Sequence, residues 1–348
     1  MARLVRIAAP YHADVVDFDQ PVPAPDEVLL ETVYSGISAG TELTAYRGSN
    51  PYLEKVWDPS RKLFVPGSSS RSYPWDSIGY EEVGRVVAVG SGTDEDLLGG
   101  LVWGAWGHRS HVVVRADRAR DRLLPDGCRP MVGIFGLIGA IALNAVLDAD
   151  IHVGETVVVF GAGVPGQIVA QLARLNGGEV TVVDPVASRR QLARDLGAAA
   201  ALDPSSDEVA ETVRTATGNR GADVVIEVTG SYQALNEAVR TAAYSSRVVA
   251  AGFFQGPGTP LRLGEEFHHN RVAVVGSQIF GVAPHLMHRW DELRMSNTVL
   301  SLERSGRLAL TELVSHVVPA EDAPAAFKLL DTAPQDALQV VLDYGTGS

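Results

Sequence analysis

The apolar positions of the chain fall into two regimes. Up to about residue 125 they come in short runs, such as 28–30, 84–89 and 111–114, cut by turns rich in Gly, Pro and Asp, a pattern that predicts a β-rich region. From about residue 150 the runs become continuous and β-branched and alternate with helical stretches. "TVVVF" (156–160) leads into a helix over 165–176, a strand over 180–183 and a second helix over 187–197, and "DVVIEV" (223–228), "RVVAA" (247–251) and "RVAVV" (271–275) follow. Strands apolar on both faces and separated by helices predict a doubly wound parallel sheet. After about 280 the pattern mixes again, with a helix over 321–330 and a strand over 337–344. The simplest organisation places an α/β domain, residues 138–280, between two segments of a β-rich domain, residues 1–137 and 281–348.

Composition narrows the function classes. A chain of 348 residues with 46% apolar and 20% charged content suits two globular domains. Its net charge of −13 repels phosphate backbones and anionic membrane surfaces, so the expected partner is a small molecule, with neither nucleic acid nor membrane. Cys128 is the only cysteine, which excludes an internal disulfide and a cysteine-based zinc knuckle. With "MARLVRIAAP" lacking the apolar core of a signal peptide, a reducing cytoplasm is the expected location. The uncharged run 131–147, "MVGIFGLIGAIALNAVL", is short for a membrane span and carries glycines and an asparagine; it predicts a buried helix at the domain junction.

Directly after "TVVVF" stands "GAGVPG", with Gly161, Gly163 and Gly166 in the G-x-G-x-x-G spacing around Val164 and Pro165. The first glycine allows the tight turn, the second lets backbone approach a pyrophosphate, and the third lets the helix pack closely so that its N-terminus faces the phosphates. Asp184 ends the next strand, 18 residues beyond Gly166, where a carboxylate accepts hydrogen bonds from ribose hydroxyls. It would repel a 2′-phosphate, so NAD(H) is favoured over NADP(H). Arg189 and Arg190 are the opposing feature, since either reaches toward an adenosine phosphate. Val228, Thr229 and Gly252, at the ends of later strands, complete the candidate cofactor-binding set.

With "YSGISAGTELTAYRG" (34–48), "GYEEVGRVVAVG" (79–90), "GAGVPG" and "GADVVIEVTG" (221–230), the chain resembles the medium-chain dehydrogenase/reductase superfamily over nearly its whole length. The resemblance implies a Rossmann domain plus a GroES-like β-rich catalytic domain. It also implies hydride transfer between a nicotinamide and an alcohol, carbonyl or polarised alkene, and a homodimer formed at the sheet edge near 271–280. Matching motif to motif puts Ser38 and Tyr80 where zinc-dependent members hold cysteine and histidine ligands, Glu81 at their neighbouring glutamate, and about Gly136 at their third ligand. A serine, a phenol and a glycine do not hold Zn²⁺, so no zinc and no other metal is expected. "SGISAGTEL", "GYE" and "FHHNR" (267–271) are similar to a zinc-lacking subgroup that includes the bacteriochlorophyllide a dehydrogenase.

Without a metal, a positioned donor must stabilise or protonate the substrate oxygen. Tyr80 is one candidate: a phenol of pKa about 10 is a plausible donor, though a poor base at neutral pH without a cationic neighbour. It could equally fill the space that the metal leaves. His108 is the rival donor, with Glu81 and Ser38 beside the reacting group. Thr41, Glu42, Trp106, His111, Phe253, Phe254, His268 and His269 are candidates for the substrate pocket, and the aromatic-rich segment 48–75 is a candidate lid. The leading expectation is a zinc-independent NAD(H)-dependent enzyme for a secondary alcohol/ketone pair in specialised metabolism. The alternatives are an NADPH-dependent enoyl or quinone reductase, or a catalytically silent nucleotide-binding protein of the same fold.

Overall fold

The computed structural model describes residues 1–66, 70–279 and 281–345. The chain divides into two compact units, Met1–Leu137 with Val314–Ser348, and Ile138–Leu313.

The second unit is built on six parallel strands in the order Ala200–Leu202, Glu179–Val183, Thr156–Phe160, Ala222–Glu227, Ala242–Ala250 and Ala273–Gly276. This is the doubly wound arrangement, and its order reverses between Thr156–Phe160 and Ala222–Glu227. Val157, Val158, Val159, Val225 and Ile226 are wholly buried, which is why these strands read as unbroken apolar runs. The strand Ala200–Leu202 was not legible because three residues carry no period. The helices Val209–Ala216 and Tyr232–Thr241 bury only a few positions each.

The structure corrects one domain boundary. The unit runs on to Leu313 and does not end near 280, because the helix Glu292–Arg304 belongs to it. Val299 of that helix lies so close to Gly139 that a Cβ there would stand 2.5 Å from its Cγ1. Beyond the helix, Gln171 holds the Ala309 backbone through both its N–H (2.8 Å) and its carbonyl (3.3 Å).

In the first unit the eleven-residue strand Glu27–Ile37 is central. It pairs antiparallel with Glu81–Val89, Gln339–Asp343 and His111–Arg115, with Val314–Pro319 and Leu101–Gly104 completing the sheet. The register sets Ser35 opposite Glu82, Gly36 opposite Glu81, and Ile37 opposite Val340. The strand ends directly in the helix Ala39–Arg47, with Ser38 at its N-cap and Gly48 closing it at φ +75°, a conformation that favours glycine. The first turn of that helix is thereby anchored at the end of the central strand.

The aromatic segment 48–75 splits in two. Tyr73 donates to the Ala45 carbonyl and Trp75 joins the core, so these rings anchor the segment. Trp57 and Phe64 form a ring pair 5.1 Å apart on the hairpin Lys55–Asp58/Leu63–Pro66 and remain exposed. Residues 67–69 of this segment, and Phe280 of the expected dimer edge, lie outside the described residues.

Among the described residues, Pro130–Ala149 is the one helix long and apolar enough to cross a membrane, and 72% of its apolar window is buried inside the protein, as befits a core helix.

Candidate active site

The strand register gathers a polar cluster at one end of the first unit's sheet. Ser35 donates across the strands to Glu82 Oε1 at 3.2 Å, and Glu82 Oε2 accepts the Trp106 backbone N–H at 2.8 Å. The His108 ring stands between two elements: its Nδ1 is 2.6 Å from the Ser35 hydroxyl and its Nε2 2.7 Å from Glu42 Oε2. Glu42 Oε1 accepts the Ser38 backbone N–H at 2.9 Å, and the Ser38 hydroxyl is hydrogen-bonded to that of Tyr80. Thr41 also faces the Tyr80 hydroxyl. Gly79 makes this packing feasible, since a Cβ there would lie 2.8 Å from both Glu82 Oε1 and the His108 ring.

Burial dominates the electrostatics of the cluster. It pushes the Tyr80 phenol above its ordinary range, with Glu81 adding to the effect, so at neutral pH Tyr80 is a neutral hydroxyl that can donate. Burial, with Glu42 and Glu82 nearby, holds the Glu81 carboxyl well above the usual carboxylate range. Glu82 is pushed up to about 7, again by burial, against the pull of His108. Burial alone would lower His108, but Glu42 outweighs it and the imidazole is raised.

Sequence reasoning offered His108 as the group that meets a substrate; the structure corrects this. Its side chain has no exposure and both ring nitrogens are engaged inside the protein, so it acts on Glu42 and Ser35. His111 is also displaced from the expected pocket. It sits opposite Glu31 on the central strand, 3.7 Å from that carboxylate, and bonds Ser110. Trp106 serves packing: its ring covers the Cα of Gly84 and Gly104, and its indole N–H donates to Thr32 at 3.0 Å. Ser38, Thr41, Glu42, Tyr80 and Glu81 do come together, with Thr41 exposed and Tyr80 half-buried.

This donor set does not fit a catalytic zinc. Ser38 and Tyr80 offer neutral hydroxyls, hydrogen-bonded to each other, where a zinc site needs thiolate, imidazole or carboxylate. At Gly136 no ligand side chain has room, because a Cβ would stand 2.5 Å from the Trp103 ring. No group of three or more His, Cys, Asp or Glu suited to hold a metal ion occurs among the described residues.

The nucleotide site of the second unit lies at the reversal of strand order. Gly161 has φ +102°, and a Cβ there would meet Thr229 at 2.7 Å; a Cβ on Gly166 would stand 1.9 Å from the Gly161 carbonyl oxygen. Both glycines are therefore demanded by the protein's own packing. Gly163 is not: the nearest atom to its Cβ would be 4.0 Å away on Pro165, so its bareness leaves backbone accessible to a ligand. The helix Val164–Leu175 starts there, with Pro165 in its first turn. Asp184 accepts the Ala162 and Val186 backbone N–H groups, each at 2.8 Å, and its oxygens retain lone pairs for ribose hydroxyls. Arg190 is held by Asp203 at 2.9 Å and by the Asp184 carbonyl at 2.7 Å, while the Arg189 carbonyl accepts from Gln167 at 2.9 Å. These residues fit a dinucleotide.

Of the four expected pocket residues in this unit, Phe253 and Phe254 follow the carboxyl end of the strand Ala242–Ala250, on the side of the glycine loop, where a Cβ on Gly230 would stand 2.7 Å from the Phe253 carbonyl oxygen, and the two histidines fall elsewhere. Phe254 packs against Tyr232, ring centroids 5.2 Å apart, beside the core, and Phe253 is exposed next to it. His268 and His269 are exposed on the segment before the strand Ala273–Gly276, where Asn270 pairs with Ser245. In a parallel sheet that is the end opposite to the glycine loop, so neither borders a nicotinamide site.

Glu227 escaped the sequence reading. It is wholly buried, accepts the Thr229 and Gly230 backbone N–H groups at 2.7 and 3.2 Å together with the Thr229 hydroxyl, and is pushed up to about 7 by burial. A Cβ on Gly252 would stand 2.8 Å from its Oε2. Glu227 thus shapes the Val228–Gly230 turn that abuts Gly161. The signal was an acid at the end of an otherwise apolar strand, "DVVIE". Ser35 and Glu82 escaped too, because only strand pairing shows that they meet.

Comparison with known proteins accords with this geometry. The family model of a zinc-binding dehydrogenase matches residues 165–294. A 2-dehydro-3-deoxy-L-galactonate 5-dehydrogenase of Pseudoalteromonas atlantica is 30% identical over 354 residues, covering 92% of this chain and 93% of the relative. The chain belongs to the medium-chain dehydrogenase/reductase superfamily. Within that superfamily it is also similar to a D-guloside 3-dehydrogenase of Escherichia coli, at 28% identity over 99% of this chain and 100% of the relative. A Sinorhizobium meliloti protein described as a zinc-binding dehydrogenase, solved with NADP, shares the fold at a TM-score of 0.79 and 23% identity, with 99% of each chain covered. An Escherichia coli alcohol dehydrogenase complexed with NADH does so at 0.78 and 20% identity, again over 99% of each chain. As a member of this superfamily the chain is an oxidoreductase.

Proposed function

We propose that the chain is a zinc-independent, NAD(H)-dependent oxidoreductase that interconverts a secondary alcohol and a ketone, with Tyr80 polarising the substrate oxygen. The observation that carries the reading is the Tyr80–Ser38 hydroxyl pair at the positions where zinc-dependent relatives hold metal ligands. A neutral phenol, half-buried and backed by a second hydroxyl, supplies the hydrogen-bond donation that the metal otherwise provides. A bound nicotinamide would supply or take the hydride. Asp184 would hold its ribose, the Gly161–Gly166 loop and the helix start its pyrophosphate, and the Glu227-braced turn would keep that loop in shape.

Asp184 supports NAD(H), as does Arg190, whose charge is already matched by Asp203. The names of the relatives, a guloside and a deoxygalactonate dehydrogenase, favour a sugar-like secondary alcohol as substrate class. The open edge of the strand Ala273–Gly276, exposed at Ala273 and Val274, suits pairing with a second copy in a homodimer, and the lone Cys128 suits the cytoplasm. The NADP-bound neighbour and Arg189 favour a second reading, use of NADPH.

The test follows deuteride transfer from 4-deuterated NADH and NADPH to a panel of sugar-derived ketones, simple ketones and conjugated alkenes, with elemental analysis of the purified protein. Transfer from NADH to ketones at sub-stoichiometric zinc is expected. Stoichiometric zinc with activity lost to chelators overturns the metal-free reading, and preference for NADPH or for alkenes overturns the cofactor or substrate assignment.

A further inference from the structure

Glu42, Glu81 and Glu82 share one buried neighbourhood, and none is more than 1% exposed. Two of them have partners suited to an anion. Glu42 receives the Ser38 N–H and His108 Nε2 at 2.9 and 2.7 Å, and Glu82 receives the Trp106 N–H and the Ser35 hydroxyl at 2.8 and 3.2 Å. Glu81 is different. Its Oε2 is shut off from solvent and accepts no hydrogen bond, and no arginine, lysine or histidine pairs with it among the described residues. What faces it is the Ser38 hydroxyl and the Gln339 side chain, which favour the charged form, and the carboxyl groups of Glu42 and Glu82, which together with burial outweigh them. An anion with a bare buried oxygen and two acidic neighbours is strongly disfavoured. A neutral acid in that place has a proton to give, and Ser38, bonded on its far side to Tyr80, is placed to receive it.

We propose that Glu81 is the internal proton source and sink of the reaction, exchanging a proton with the substrate oxygen through Ser38 and Tyr80. The inference rests on the dehydrogenase reading above. In ketone reduction the hydride, supplied by the reduced nicotinamide, bonds to the carbonyl carbon and its electron pair moves onto oxygen. The Tyr80 O–H bond then breaks as its proton bonds that oxygen; Tyr80 takes the Ser38 proton, Ser38 takes the Glu81 proton, and Glu81 is left as carboxylate. Oxidation runs the same transfers backward. Because Tyr80 is half-buried and not sealed, Glu81 recovers its proton from solvent along the same path after product leaves.

The test compares full-length wild type with Glu81→Gln. In infrared difference spectra of wild type minus Glu81→Gln at neutral pH, without substrate or cofactor, a protonated carboxylic C=O band that shifts in D₂O is expected; a carboxylate signature in its place overturns the proposal. This arm needs no turnover, so it is independent of the dehydrogenase reading, which fails separately if wild type transfers no deuteride to any acceptor. In single-turnover reduction, Glu81→Gln is expected to slow hydride transfer about 10- to 100-fold and to alter the solvent isotope effect, with NADH affinity unchanged. Glu81→Asp is expected to restore part of the rate. An unchanged rate and isotope effect in Glu81→Gln overturns the proposal. Should that variant not fold, Ser38→Ala cuts the path and leaves the acid in place: the C=O band is expected to persist while the rate falls, and a retained rate overturns the relay.

Discussion

His108 Nε2 lies 2.7 Å from Glu42 Oε2 with both side chains out of reach of solvent. Removing one member of such a pair leaves the other buried without its partner. His108→Ala is therefore expected to destabilise the first unit by about 3–5 kcal/mol, and His108→Asn, which keeps a donor, by less. Denaturant titration of both variants measures this. Because the folded-state pKa of His108 is raised, the stabilisation is fully present below the ordinary imidazole value and is lost as pH rises through the raised one. The gap between wild type and His108→Asn should narrow with rising pH over that window.

Tyr80→Phe removes one oxygen and keeps the ring. If the hydroxyl polarises the substrate, kcat is expected to fall about 100-fold or more with NADH affinity and melting temperature near those of wild type. Steady-state kinetics and cofactor titration check this, and near-normal turnover would reduce Tyr80 to packing.

Glu227 should make the second unit less stable as pH rises. Its folded-state pKa, about 7, lies above the ordinary carboxyl value of 4.5, so between these values the folded state binds more protons than the unfolded one and stability falls. The shift corresponds to about 3 kcal/mol at most. Glu227→Gln is expected to flatten the fall between pH 4.5 and 7, as read from melting temperature against pH.

The glycine loop separates packing from binding. Gly166→Ala places a Cβ 1.9 Å from the Gly161 carbonyl oxygen and is expected to disturb folding and abolish cofactor binding together. Gly163→Ala meets nothing closer than 4.0 Å, so it should fold normally and lose NADH affinity. Thermal melts beside NADH fluorescence titration distinguish the two outcomes.

His268→Ala and His269→Ala, on the end of the sheet away from the glycine loop, are expected to leave kcat/KM within about twofold of wild type. A large loss in either would place that histidine back in the active site.

The nucleotide unit was legible because its signals are local. The Gly161–Gly166 turn, the unbroken valine strands and Asp184 each announce themselves within a few residues, and the doubly wound class follows from the alternation of strands with helices. The helix Glu292–Arg304 was missed because its membership of the second unit depends on Val299 meeting Gly139 and on Gln171 reaching Ala309, contacts across long sequence separations. The histidines show the same limit from the other side. His108, His111, His268 and His269 all look reactive in sequence, and only burial and sheet direction separate the enclosed His108 from the exposed pair.

By itself the sequence determined the fold class and the dinucleotide loop, since each rests on periodicity or on side-chain chemistry at one place, and the family resemblance singled out the hydroxyls of Ser38 and Tyr80. Tertiary structure alone decided what surrounds those hydroxyls. The register that sets Ser35 against Glu82 and Gly36 against Glu81, and the approach of His108 to Glu42, join residues from three separate stretches of chain. Burial then decides which of them carry protons, because the cost of a charge depends on its surroundings and not on its position in the sequence.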